Sequence, residues 1–236
     1  MPSIAELAAE TEQRTDPPDG SGERFAGYGI MGLPFASGHV LAMRRFPASS
    51  VGPAYTSIWH RDPEGRWEFW QDQPPEVACP RYFSGAIAEA RQVAIDLEWT
   101  EPSTLRLAVP ELDFDWSTTL RASGATSLLN AVGGVLPDRL WTARPVLSLM
   151  GPAAGAMLRA GRVGLAGVAP NGHRFIANPL RVWLVAEAAA VLGGVGFGPP
   201  GRLAQQVALG DFWIPQRGVF AIGRAYFTGG PPNGPG

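Results

Sequence analysis

Asp113 and Asp115 stand two residues apart in TLRLAVPELDFDWSTTL, a spacing that puts both carboxyl groups on one face of an extended strand. On a solvent face they are ordinary surface carboxylates. On a cavity face, burial and mutual repulsion would hold one of them protonated near neutral pH, ready to act as a general acid. His60, in IWHRDPEGRW, joins them as an acid–base candidate, and Tyr82, in CPRYF, is a further proton donor. With a buried carboxylic acid, the chemistry would be protonation of a double bond or assistance to a cyclisation.

Aromatic residues supply the second signal. The chain holds 8 tryptophans and 11 phenylalanines, and each indole can bury about 150–250 Å², on the order of 4–6 kcal/mol. Such a set reads either as a heavy core or as the lining of a ligand cavity whose ring faces stabilise developing positive charge. Trp59, Trp116 and Trp213 are the candidate pocket walls. Arg81 in CPRYF and Arg217 in GDFWIPQRG sit in proline-stiffened loops, where binding groups often lie. Either arginine could meet a ligand anion or one of the chain's own carboxylates.

Other patterns lose their chemistry in context. GYGIMG, Gly27 to Gly32, matches the dinucleotide fingerprint by letter, but Leu33-Pro34-Phe35 follows where a helix would have to start. His60-Arg61-Asp62 resembles the kinase catalytic loop, yet Trp67 stands where that loop needs asparagine. No G-x-S-x-G elbow occurs. His39, His60 and His173 are too far apart in sequence to suggest a shared metal site, so no metal is expected.

Composition narrows the classes further. All 19 basic residues are arginine, which removes Schiff-base and pyridoxal chemistry and the phosphate-loop lysine. Net charge is −2 with no basic block, so nucleic acid is not an expected partner. Cys79 is the single cysteine and reads as a small buried filler. No stretch approaches the roughly 20 apolar residues of a membrane span. The acidic start MPSIAELAAETEQRTD lacks the apolar core of a signal peptide, so the expected location is the cytoplasm. No organic cofactor is expected; the expected partner is a hydrophobic small molecule.

These groups must be positioned by strands. The 30 glycines and 23 prolines punctuate many short elements, a habit of all-β chains. Val93, Ile95, Leu97 and Trp99 alternate with polar neighbours, as do Leu112, Phe114, Trp116, Thr118 and Leu120. Pro110 marks a bulge or bend before the second run. Hairpins are expected at DPEG (62–65) and PNG (170–172), with further strands at GHVLAMRRF, LRVWLVAEA and GVFAIGRAYF. Helical spacing replaces period two at about 124–160, with Pro145 suiting the first turn of a second helix. Residues 1–24 form a flexible segment in which Ile4, Leu7 and Ala8 could face one side of a short helix. The domain spans 25–228, and 229–236 is a disordered tail.

Trp59 to Trp67 (WHRDPEGRW), the GRVGLAGVAPNGHRF hairpin and the late VWLVAEAAAVLGG strand together resemble one module of the lipocalin-like carotenoid-hydratase (hydroxyneurosporene synthase) and AttH-type superfamily, over about residues 25–227. Members typically carry two such barrels, and some relatives are cyclases, Diels–Alder catalysts among them. The resemblance implies one antiparallel lipocalin-like barrel or closed sandwich with an inserted helical hairpin. The tryptophan excess, the aspartates able to face inward and the lack of a metal or nucleotide motif lead to the expectation of a cofactor-independent enzyme that hydrates, isomerises or cyclises a hydrophobic, polyene or terpenoid-like small molecule. The alternative on the same fold is a non-catalytic carrier of a lipid, pigment or other apolar ligand.

Overall fold

The computed structural model describes residues 2–135 and 144–230. Within them the strands are β1 (Glu23–Pro34), β2 (Val40–Ser49), β3 (Tyr55–Arg61), β4 (Trp67–Gln71), β5 (Glu89–Gln92), β6 (Asp96–Glu101), β7 (Thr104–Val109), β8 (Phe114–Arg121), β9 (Ala166–Val168), β10 (Arg174–Leu192), β11 (Val195–Gly196), β12 (Ala208–Leu209), β13 (Phe212–Trp213) and β14 (Val219–Thr228). The α-helices are α1 (Ile4–Glu12), α2 (Pro80–Phe83), α3 (Gly124–Val135) and α4 (Arg144–Met157). One sheet runs β5-β4-β3-β2-β1-β14-β10-β8-β7-β6, with β9 and β11 attached to β10; β12 and β13 form a separate hairpin. The β4–β5 pair is parallel and the other ladders are antiparallel. The fold is mostly β: a curled, mostly antiparallel sheet carrying a few helices.

Ring contacts between strands far apart in that order show how the sheet curls. Trp70 of β4 lies 5.0 Å from Phe114 of β8. Trp99 of β6 lies 6.3 Å from Tyr28 of β1 and 5.8 Å from Phe220 of β14. All these rings share one face, so the sheet wraps around it. Ile30, Leu41, Met43, Ile58, Trp116 and Trp183 occupy the interior so formed. The 112–120 alternation is realised in β8, where Phe114, Trp116, Thr118 and Leu120 are buried and the residues between them are not. Pro110 starts a 3-10 turn at Pro110–Leu112, which ends before the strand begins.

The α1 helix lies within the segment that the polar run DPPDGSGE sets apart in sequence, and it packs on this interior. Ile4, Leu7 and Ala8 join the same apolar cluster, and Ser3 and Glu6 form a capping box at its start. At its end Glu12 accepts hydrogen bonds from Arg45 Nη2 and from the Tyr28 hydroxyl, both at 2.8 Å. Both helices of the inserted pair are present; the 136–143 stretch between them, with Trp141, lies outside the described residues, as does 231–236 of the tail.

Curling is helped by register shifts at Ala26/Tyr28 and Ile30/Leu33 in β1 and at Pro179/Arg181 and Val185/Glu187 in β10. Pro179 sits at such a shift, where its missing N–H breaks no regular ladder bond. GYGIMG is part of β1 and carries no phosphate loop. Its glycines serve close strand approach: a Cβ at Gly27 would collide with the Arg45 carbonyl oxygen, and one at Gly29 with that of Met43. Because the obstacle is backbone, Gly27→Ala is expected to lower stability by about 1–3 kcal/mol, read as a fall in urea midpoint at unchanged slope.

Candidate ligand cavity

Strands β1 to β4 bury both faces, so period two sends alternate residues into two compartments. Even-numbered Tyr28 and Ile30 of β1 and odd-numbered Leu41 and Met43 of β2 enter the filled interior. Phe25, Val40, Ala42, Tyr55, Trp59 and Phe69 point the other way, into a second apolar cluster closed by α2 (Cys79 at its start, Tyr82, Phe83) and by the β12–β13 hairpin. Next to this cluster, beneath α3 and α4, lies a cavity of about 400 Å³. That size falls within the roughly 300–1,000 Å³ of small-molecule sites.

Sheet residues Arg44, Phe46, Tyr55 and Trp59 make one wall, and Phe212 and Trp213 of β13 another. Leu128, Leu129 and Val132 of α3 with Met150, Ala154 and Met157 of α4 form the roof. Gly27 of β1 and Gly223 of β14, cross-strand partners, keep that stretch of wall free of side chains. Helix α3 is started by Ser123, whose Oγ accepts the Thr126 N–H at 3.2 Å. It is tied to β10 by Asn130, which donates to the Val182 carbonyl at 3.0 Å and accepts the Val182 N–H at 2.7 Å. Leu128, Val132 and Met157 are cavity-lining yet exposed, so the cavity opens to solvent on the helical side.

The charged and amide side chains of this lining are Asn130, Asn178, Arg224 and Arg44, of which Arg44 is the buried charge. Arg44 follows Val40 and Ala42 and precedes Phe46 on the cavity side of β2, and only 6% of it is exposed. Its guanidinium carbon lies 4.5 Å from the Trp59 ring and 5.3 Å from that of Phe212. Nη1 donates to the carbonyls of Ile30 and Met43, both at 2.7 Å, while Nη2 is buried without a partner. No carboxylate of the described residues pairs with it. Burial pushes its pKa down to about 10, and the same burial holds the neighbouring Cys79 thiol and Tyr55 hydroxyl in their neutral forms by raising theirs. Ser57 pairs directly across from Arg44, and Gln71 directly across from Ser57. Ser57 Oγ and both amide atoms of Gln71 are likewise buried without partners. Each such group costs about 1–3 kcal/mol and an unpaired buried charge several.

The residues nominated from sequence divide between the two compartments and the surface. Trp59, Trp213 and Tyr82 line the cavity. Trp116 is fully buried in the filled interior instead, because its phase in β8 matches the inward face. Asp113 and Asp115 do not share a cavity face. Asp113 is exposed in a left-handed conformation (φ 49°) closing the turn that Pro110 starts, a place aspartate tolerates. Asp115 opens β8 on its outer side and pairs with Arg106. Arg81 is held by the chain's own Glu23 at 2.6 Å, and the Tyr82 hydroxyl donates to the same carboxylate. Burial would raise the Glu23 carboxyl, but these two hydrogen bonds outweigh it and hold it low. Arg217 lies outside the cavity lining, near Arg121, Arg159 and Arg202. Among the described residues that line the cavity there is no aspartate, glutamate or histidine.

Arg44, Ser57 and Gln71 were not singled out by motif. Their signal is one of phase: in VLAMRRF, YTSIWHR and WEFWQ each polar residue falls on the beat of apolar partners two positions away, Ala42 and Phe46, Trp59, and Phe69.

No family model matches the chain, and no curated protein matches it. Among solved structures the chain is similar to a crystal structure of acetoacetate decarboxylase from Legionella pneumophila, with 11% sequence identity and a TM-score of 0.41. The alignment covers 95% of this chain and 96% of that one. No helix among the described residues is long and apolar enough to cross a membrane.

Two of the three histidines meet in space despite their separation in sequence. His39 Nδ1 lies 3.0 Å from His60 Nε2, and the Phe197 ring stacks on His39 at 3.9 Å. His173 stands apart, with its Nε2 4.0 Å from Glu23. His60 is on the interior side of β3, where burial, reinforced by His39, pushes its pKa down to about 4 against the pull of Asp62. The unfolded chain, with a histidine pKa near 6.5, therefore binds more protons than the folded one between these values. Stability is expected to be full above about pH 6.5 and to fall by on the order of 3 kcal/mol as pH drops to about 4. Urea titrations across that window should show the fall in wild type and a flatter profile in His60→Gln. The Glu12 and Glu23 ion pairs are lost only at lower pH, since both carboxyls are held below their ordinary values.

Proposed function

We propose that the protein binds a predominantly apolar small molecule in the cavity beneath α3 and α4. The observation that carries this reading is the cavity itself: about 400 Å³ walled by aromatic and aliphatic groups, set apart from a core that is already packed. Dispersion and burial of apolar surface would supply the affinity. The resemblance in strand rhythm to carotenoid-hydratase and AttH-type barrels agrees with a polyene or terpenoid-like ligand.

Two roles share this site. Carriage needs the cavity alone. Cofactor-independent hydration, isomerisation or cyclisation also needs a proton donor on the wall, and the described lining offers Tyr82, Tyr55 and Cys79 rather than a carboxyl group. Burial raises the pKa of all three, and the Tyr82 hydroxyl is committed to Glu23, which makes them weak acids. Carriage is the better supported role. Asp113 and Asp115, outside the cavity, have no part in it.

Occupancy is tested with N-phenyl-1-naphthylamine, a neutral apolar probe that brightens on leaving water. Wild type is expected to bind it with a saturable fluorescence rise. Ala154→Trp, which projects an indole from α4 into the cavity, is expected to weaken binding at least tenfold with an unchanged circular dichroism spectrum. Equal binding by a folded Ala154→Trp protein would remove the cavity as the site. Native mass spectrometry of the freshly purified protein separates the roles: a bound molecule that stays chemically unchanged on incubation indicates a carrier, and its conversion an enzyme.

A further inference from the structure

We infer that the ligand carries a carboxylate and that Arg44, the member of the row Arg44–Ser57–Gln71 that lines the cavity, receives it; this rests on the cavity being a ligand site. Arg44 borders the cavity, and so do Tyr55 and Trp59, which flank Ser57 on the same face of β3. Cross-strand partners in an antiparallel ladder project from the same side of the sheet, so Arg44, Ser57 and Gln71 form one polar line across β2, β3 and β4. All three are at least nine-tenths buried, at 6%, 0% and 0% exposure. Each has a polar atom without a partner: Arg44 Nη2, Ser57 Oγ, and Gln71 Nε2 and Oε1.

The chemistry of the row selects the head group. An arginine is a permanent cation; Arg44 has no carboxylate partner among the described residues, and its neighbours Cys79 and Tyr55 are neutral. The unpartnered Nη2 of Arg44 is a donor on the lining that a carboxylate's lone pairs can accept from. Nη1 is already used by two backbone carbonyls, so a single charge rather than a phosphate dianion matches what remains. Arg162 lies 4.1 Å over the ring of cavity-lining Trp213. The ligand is therefore an apolar body ending in a carboxylate, with its tail under α3 and α4.

Isothermal titration of the full chain with dodecanoate, 1-dodecanol and dodecyl phosphate, each below its aggregation concentration, tests this at pH 8. Dodecanoate is expected to bind at least tenfold more tightly than the alcohol and more tightly than the phosphate. Arg44→Met should remove the preference, cutting dodecanoate affinity tenfold or more and leaving the alcohol within about twofold. Equal binding of acid and alcohol by wild type overturns the carboxylate and leaves the apolar cavity standing, and it needs no variant to fold. Tighter binding of dodecyl phosphate than of dodecanoate overturns the head-group assignment. Absence of binding by all three overturns both the inference and the cavity reading.

Discussion

Backbone alternation in β1 to β4 is the constraint on which the other features rest. Because both faces of these strands are covered, each residue enters one of two compartments, and a shift of one position would exchange them all. Met43 faces the filled interior and Arg44 the cavity side, with Arg45 returning to the interior to meet Glu12. A slip by one would put Met43 beside Trp59 and bury Arg44 among Ile30 and Ile58. The Gly27 and Gly29 contacts with β2, the Arg45–Glu12 pair and the register shifts in β1 all hold the same phase. The position of the guanidinium is thus a consequence of pairing register, not of any local motif.

The two compartments carry different duties. The interior is filled by large rings from strands at both ends of the sheet order, and its packing supplies the cohesion of the fold. The outer compartment is covered by a helical pair whose hold on the sheet is lighter, with Asn130 as one polar clasp to β10 and apolar side chains such as Leu128 and Val132 left exposed. Helices joined to a sheet in this way open at lower cost than a strand in a two-sided sheet. Under the proposed ligand role, access to the cavity would fall to α3 and α4 while the sheet stays in place.

Much of this was legible before the structure. Period two in β8 and β6, the DPEG and PNG hairpins, the helical interval with Pro145 in the first turn of α4, and the Ile4–Leu7–Ala8 face of α1 all follow from local rules that tertiary contacts did not overturn. Identifying the hollow was another matter. A strand pattern tells which residues share a face but not whether that face meets packed rings or open space, and this decides Trp59 and Trp116 in opposite directions. Asp113 and Asp115 alternated correctly in sequence, yet the turn at Pro110 took the first out of the strand and the outer phase took the second to Arg106. The informative polar residues were instead those out of step with polarity, Arg44, Ser57 and Gln71.

Placing those three together has an energetic logic. An unpaired guanidinium beside two unsatisfied side chains opposes folding by several kcal/mol, which in a small core would threaten a net stability of about 5–15 kcal/mol. The three lie on one face of the sheet, while Trp70, Trp116 and Trp183 bury their rings on the other. A partner that neutralised the row would return that free energy on binding, so folded protein and ligand would stabilise each other by mass action. Separating the packed face from the cavity face is what lets a single sheet hold an unsatisfied polar row without giving up its fold.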